Sequence, residues 1–141
     1  MTVQHTAAAI TGTDPYKTEI TIGDSAFIMM SDAPTDAGGN AIAPSPTELA
    51  TASLAACKTM TAMMYANRKQ WPLEAIQIDV RHVRKEIDGR KRDAFECDIT
   101  IKGDLDADQR ARLVDITTKC PVSKMLETQT PVESSMSPSE D

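Results

Sequence analysis

The chain has 141 residues, 40% of them apolar and 26% charged, with 15 basic and 21 acidic side chains for a net charge of −6. That length suits one domain, and the composition excludes an intrinsically disordered chain. The negative balance excludes a nucleic-acid binder that works by neutralising phosphates.

The one basic stretch, RHVRKEIDGRKR at 81–92, is interleaved with acids and reads as two solvated strand faces around a turn. No apolar run approaches the roughly 18 residues of a membrane span. The opening MTVQHTAAAITGTDPYK lacks the basic start and apolar stretch of a secretory signal. A cytoplasmic location is therefore expected, with no membrane partner and with the three cysteines reduced. Aromatic residues are scarce, so the core is expected from Ile, Leu, Val, Ala and the eight Met, with dimerisation as a way to enlarge it.

In chain order, residues 1–15 are small and polar and read as a flexible terminus. YKTEITI alternates with Tyr16, Thr18, Ile20 and Ile22 on one face, Gly23-Asp24 supplies a turn, and AFIMMSD follows as a second strand. TDAGGN and the prolines of APSP form a loop. Ser45 and Pro46 open a helix that runs uninterrupted to Gln70, before Pro72. Leu49, Ser53, Ala56, Met60 and Met63/Met64 recur along it at helical spacing. The small side chains around Ala50–Ala56 predict close approach of a neighbouring element.

Two further strands follow across the IDGR turn, one with Ile76, Ile78, Val80 and His82 on a face, the other with Phe95, Cys97, Ile99 and Ile101. Asp106 caps a second helix, with Leu105, Arg112/Leu113 and Ile116 along its apolar side, up to Lys119. Cys120-Pro121 breaks it, VSKMLE adds a helical turn, and TPVESSM reads as an edge strand. Residues 16–136 thus form one α+β domain, followed by a loose acidic tail over 137–141.

Chemistry narrows to sulfur. GxSxG, a glycine-rich phosphate loop and zinc-type ligand spacing are all missing, and His5 and His82 are the only histidines. Cys57, mid-helix among alanines, is either a small buried hydrophobe or a reactive thiol. Cys120 stands before Pro121, at a helix cap where positive partial charge lowers a thiol pKa, or it merely occupies a helix break. Cys97 reads as core, and His82 as a sheet-face residue rather than a base.

The stretch PSPTELATASLAACKTMTAMMYANRKQWPLE, followed downstream by DLDADQRARLVDITTKCPVSKML, resembles the OsmC/Ohr family of thiol-dependent hydroperoxide reductases. CPVSK, without tyrosine after the proline, is similar to the OsmC-like branch. The resemblance spans about Tyr16 to Met136. It implies an intertwined homodimer, in which two long central helices are wrapped by antiparallel or mixed sheets from both chains. It further implies that Cys57 attacks the O–O bond of a hydroperoxide and becomes a sulfenic acid. Cys120 then closes a Cys57–Cys120 disulfide, and an external dithiol, a lipoylated protein or a thioredoxin-like donor, restores the thiols. No metal, flavin or haem is implied.

The family pairs its thiolate with an arginine held by a glutamate. This chain has no arginine before Arg68; Lys17 stands in the corresponding strand, and lysine lacks the planar fork of arginine. Glu48 in SPTEL is the acidic candidate, or simply a first-turn glutamate favoured by the helix dipole. Met60, Met63, Met64 and Trp71 either line an apolar pocket or fill the core. Two other functions stay open: a non-enzymatic module holding a small apolar ligand, and a redox-responsive interaction protein.

Overall fold

The computed structural model describes residues 2–24 and 26–138. It is an α+β chain whose contacts fall into two compact units, Met1–Ala52 and Ser53–Asp141.

The first unit carries a three-stranded antiparallel sheet in the order β1 (Ala7–Thr11), β2 (Thr18–Ile22), β3 (Phe27–Ser31). The β2–β3 hairpin follows the alternation of YKTEITI and AFIMMSD. The strand β1 falls where the sequence reading places a flexible terminus. AAAIT has no alternating pattern of its own, and pairing to β2 (Ala7 opposite Ile22, Thr11 opposite Thr18) is what makes it a strand. After β3, Asp32, only 2% exposed, organises the TDAGGN loop. Its carboxylate accepts the backbone N–H groups of Ala33 at 2.8 Å and of Asn40 and Ile42 at 3.3 Å. Such a loop needs its backbone donors satisfied, and the acid at its entrance supplies the acceptors.

The helix α1 (Pro46–Lys69) starts in this unit and continues through the second. Its start is a capping box. The Glu48 N–H donates to Ser45 Oγ at 3.2 Å, and the Ser45 N–H donates to Glu48 Oε1 at 3.1 Å.

In the second unit, β4 (Leu73–Ile87) and β5 (Arg90–Gly103) form one long antiparallel hairpin. Asp88 and Gly89 both have positive φ, 53° and 78°, as a two-residue turn matched to strand twist requires. The second helix, α2 (Ala107–Thr117), is capped by Asp106 in a reciprocal pair with Gln109. Arg110 joins it to the end of β5, donating to the carbonyls of Ile101, Gly103 and Leu105 at 2.8–3.1 Å. Gly103 has φ 148°, and a Cβ there would lie 2.3 Å from the Pro72 carbonyl oxygen. Only glycine fits at that crossing.

The core of this unit comprises Ala62 and Ala66 of α1, Leu73 of β4, Leu105, and Leu113 of α2. The small side chains of Ala62 and Ala66 share this core with the fully buried Leu113. A third helix, α3 (Pro121–Glu127), follows at once.

Three sequence expectations are corrected here. Residues 130–136 form no strand. The buried row of α1 is Leu54, Lys58, Ala62 and Ala66, rather than the Leu49–Ser53–Ala56–Met60 row. Met60 and Met64 are 58% and 62% exposed, so among Met60, Met63, Met64 and Trp71 it is Met63 and Trp71, packed against the core, that behave as the core reading expects. Helical spacing identified a stripe but not which stripe faces inward. Two rows of small or apolar residues run along α1, and packing against α2 and the hairpin selects one. Residues 139–141 of the expected acidic tail lie outside the described residues.

Candidate functional site

The corner between α2 and α3 is where the chain brings its chemistry together. Cys120 is the N-cap of α3: its backbone is extended, Pro121 follows at the first helical position, and the Ser123 N–H donates to Cys120 Sγ at 3.3 Å. The side chain of Cys120 is wholly buried. Cys57, half-buried at mid-α1, is near enough to act on the Cys120 thiol, so two residues far apart in sequence come together. Both thiols are free.

Beside them lies Lys58, only 8% exposed, whose Nζ donates to the Thr117 carbonyl at 3.0 Å. Thr117 ends α2, so this bond ties the negative end of that helix to α1 and holds the corner from which Cys120 is suspended. The sequence reading does not single out Lys58. The signal that finds it is its place in the i, i+4 row of Leu54, Ala62 and Ala66, where a charge interrupts an otherwise apolar stripe.

The electrostatics of Cys120 run against the helix-cap expectation. Burial is the largest influence and pushes its thiol above the ordinary value. The Ser123 N–H pulls it down, Cys57 pushes it up, and the Lys58 charge pulls it down. The net direction is upward because α3 is short and its terminus offers one N–H, while the sulfur has lost all contact with water. Cys120 therefore keeps its proton to higher pH than an ordinary cysteine.

A pH dependence follows. The folded chain retains a Cys120 proton that the unfolded chain releases near 9.0. Stability from this group is complete below that value and is lost as pH rises through the raised folded value. Between about pH 8 and 11, the Tm of the reduced protein should fall more steeply than that of Cys120→Ser. Parallel curves would refute this.

The other expected site residues lie in the first unit. Glu48 is exposed, and its carboxylate is engaged by Ser45, whose backbone and side-chain hydrogen bonds hold it below the usual carboxylate range. Lys17 is exposed in the turn before β2; its N–H donates to the Asp14 carbonyl at 3.0 Å. Cys97 lies apart from the sulfur pair, half-buried on β5 opposite Val80. His82 packs its ring 5.3 Å from that of Phe95 across the hairpin and bonds Asp93 at 2.9 Å, as a sheet-face residue does. Among the described residues no cluster of His, Cys, Asp and Glu is arranged to hold a metal, and no helix is long and apolar enough to cross a membrane.

The chain is α+β, with one thiol on its long helix and another at a Cys-Pro corner. The family described as OsmC-like protein matches residues 38–135, well over half of the chain, and the chain belongs to that family. Solved structures agree in fold. An OsmC-like protein of Mycoplasma pneumoniae is 21% identical, with TM-score 0.73 over 92% of this chain and 91% of that one. A protein of Psychrobacter arcticus, described in terms of osmotic stress induction and detoxification response, is 24% identical, with TM-score 0.72 over 88% and 89%. An organic hydroperoxide resistance protein OsmC of Legionella pneumophila is 21% identical, with TM-score 0.64 over 89% and 90%. No curated protein sequence matches this chain.

Proposed function

We propose that the protein is a thiol-dependent peroxidase that reduces organic hydroperoxides or hydrogen peroxide. The observation that carries this reading is the approach of Cys57 on α1 to the buried Cys120 thiol at the start of α3. Membership of the OsmC-like family and the naming of one structural neighbour for organic hydroperoxide resistance support it.

The residues suit the steps in turn. The Cys57 thiolate attacks one peroxide oxygen. The O–O bond breaks, Cys57 becomes a sulfenic acid, and the alkoxide or hydroxide leaves and takes a proton from solvent. Cys120 then attacks the sulfenic sulfur. Its proton and the sulfenic hydroxyl leave as water, and a Cys57–Cys120 disulfide remains. A dithiol donor, either a lipoylated protein or a thioredoxin-like one, exchanges with that disulfide, is oxidised itself and returns both thiols. The proposal rests on the two thiols and does not require Lys17 or Glu48.

A homodimer belongs to the same reading. Ala56, Met60 and Met64 form an exposed row on α1, and a second copy of the chain is its proposed cover.

The test is mass spectrometry of reduced protein after one equivalent of cumene hydroperoxide. A loss of about 2 Da, mapped to a Cys57–Cys120 bond, is the expected result. An unchanged mass with both thiols still titratable would reject the peroxidase and favour the small-apolar-ligand module, for which Met60 and Met64 are the natural contacts.

A further inference from the structure

We propose that Lys58 is the cation of the sulfur pair: its buried side chain, held between α1 and the end of α2, stabilises the negative charge that Cys57 and Cys120 share once one of them ionises. The inference rests on reading those cysteines as a reactive pair.

The geometry makes Lys58 an unusual lysine. It is 8% exposed and has one hydrogen-bond acceptor, the Thr117 carbonyl at 3.0 Å. The ion pairs among the described residues engage Lys85, Lys102, Lys119, His82 and three arginines, and none engages Lys58. Buried charges are ordinarily paired with an opposite charge, because desolvation otherwise outweighs what a single carbonyl returns. The anion available to Lys58 is the one the pair itself generates. Lys58 adjoins Cys57 in sequence, and its bond to Thr117 sets it under the corner that carries Cys120.

The titratable groups facing Cys120 are Cys57 on α1 and Lys58. Burial, the largest influence, raises the Cys120 thiol, and Lys58 opposes it. The cation thus keeps one negative charge tolerable in a site that burial would otherwise hold neutral. The role the family resemblance gives to a strand arginine falls here to a lysine on the central helix itself.

Iodoacetamide alkylation of Cys57 across pH, followed by peptide mapping, tests this without peroxide. Loss of peroxidase activity and loss of this proposal are therefore separate outcomes. Lys58→Met removes both charge and donor, Lys58→Gln keeps a donor for the Thr117 carbonyl without charge, and Lys58→Arg keeps both. The Met and Gln variants should show the alkylation midpoint raised by about one pH unit or more, with Arg close to wild type. At neutral pH the rate should fall only about threefold, because the more basic thiolate that remains is also the better nucleophile. A folded Gln variant with the wild-type profile would reduce Lys58 to a tether and overturn the proposal.

Linkage also runs in reverse. In the wild type, the Lys58 ε-carbon resonance should titrate at higher pH in the reduced protein than in the diamide-formed disulfide. Identical midpoints would overturn the proposal even if neither uncharged variant folds.

Discussion

Cys57→Ser is expected to bring peroxide consumption down to background, whereas Cys120→Ser should consume one equivalent and then stall. A serine hydroxyl does not ionise at neutral pH and cannot take an oxygen from a peroxide, so the first step is lost outright. Cys57 is half-buried on a helix that Leu54, Ala62 and Ala66 anchor, so the exchange should leave the fold intact. In Cys120→Ser the first step survives, but no sulfur lies within reach to condense with the sulfenic acid. That acid should accumulate stoichiometrically and be trapped by dimedone on Cys57. The new hydroxyl is buried but has the Ser123 N–H as a donor, which limits the structural cost. Cys97→Ser is the control and should turn over normally, since Cys97 faces Val80 across the hairpin. Wild-type turnover in Cys57→Ser, or its loss in Cys97→Ser, would assign the chemistry to the wrong sulfur.

Leu113→Ala should be the most destabilising single truncation in the second unit, costing about 3–5 kcal/mol. Leu113 is fully buried among Ala62, Ala66, Leu73 and Leu105. Two of those four neighbours are alanines on a rigid helix, so little side chain is free to collapse into the space left behind. Against a total stability on the order of 5–15 kcal/mol for a domain, such a loss should lower Tm on the order of 10–15 °C. Val114, the next residue, is 44% exposed, and Val114→Ala should change stability by about 0.5 kcal/mol or less. Equal shifts in denaturant midpoint for the two variants would contradict the packing described. The effect should also reach the site. Leu113 seats α2 on α1, and the end of α2 presents the Thr117 carbonyl to Lys58. Disulfide formation should therefore slow in Leu113→Ala at temperatures where the protein remains folded.

The features readable in advance are those with local causes. Ser45-Pro46 and Asp106 announce helix starts because a side-chain oxygen must satisfy N–H groups within three residues. Asp88-Gly89 announces a hairpin because both positions need positive φ. The two cysteine motifs were legible as a family resemblance, which carried the pairing of Cys57 with Cys120 where spacing alone could not.

What escaped was decided at a distance. β1 is a strand because β2 offers it an edge, and AAAIT carries no pattern that says so. The inward stripe of α1 was settled by α2 and the β4–β5 hairpin, which bury Leu54, Lys58, Ala62 and Ala66 and leave Met60 and Met64 outside. Glu48 turned out to be engaged by its own helix cap. The direction of the Cys120 shift reversed because a helix terminus acts through one or two nearby N–H groups, while desolvation acts through everything packed around the sulfur. The sequence by itself determined which segments become helix, turn and hairpin, and narrowed the candidate chemistry to sulfur. Only the tertiary structure decided which face of α1 is buried, which sulfur keeps its proton and which cation stands beside the pair, because each of these depends on atoms that approach through space rather than along the chain.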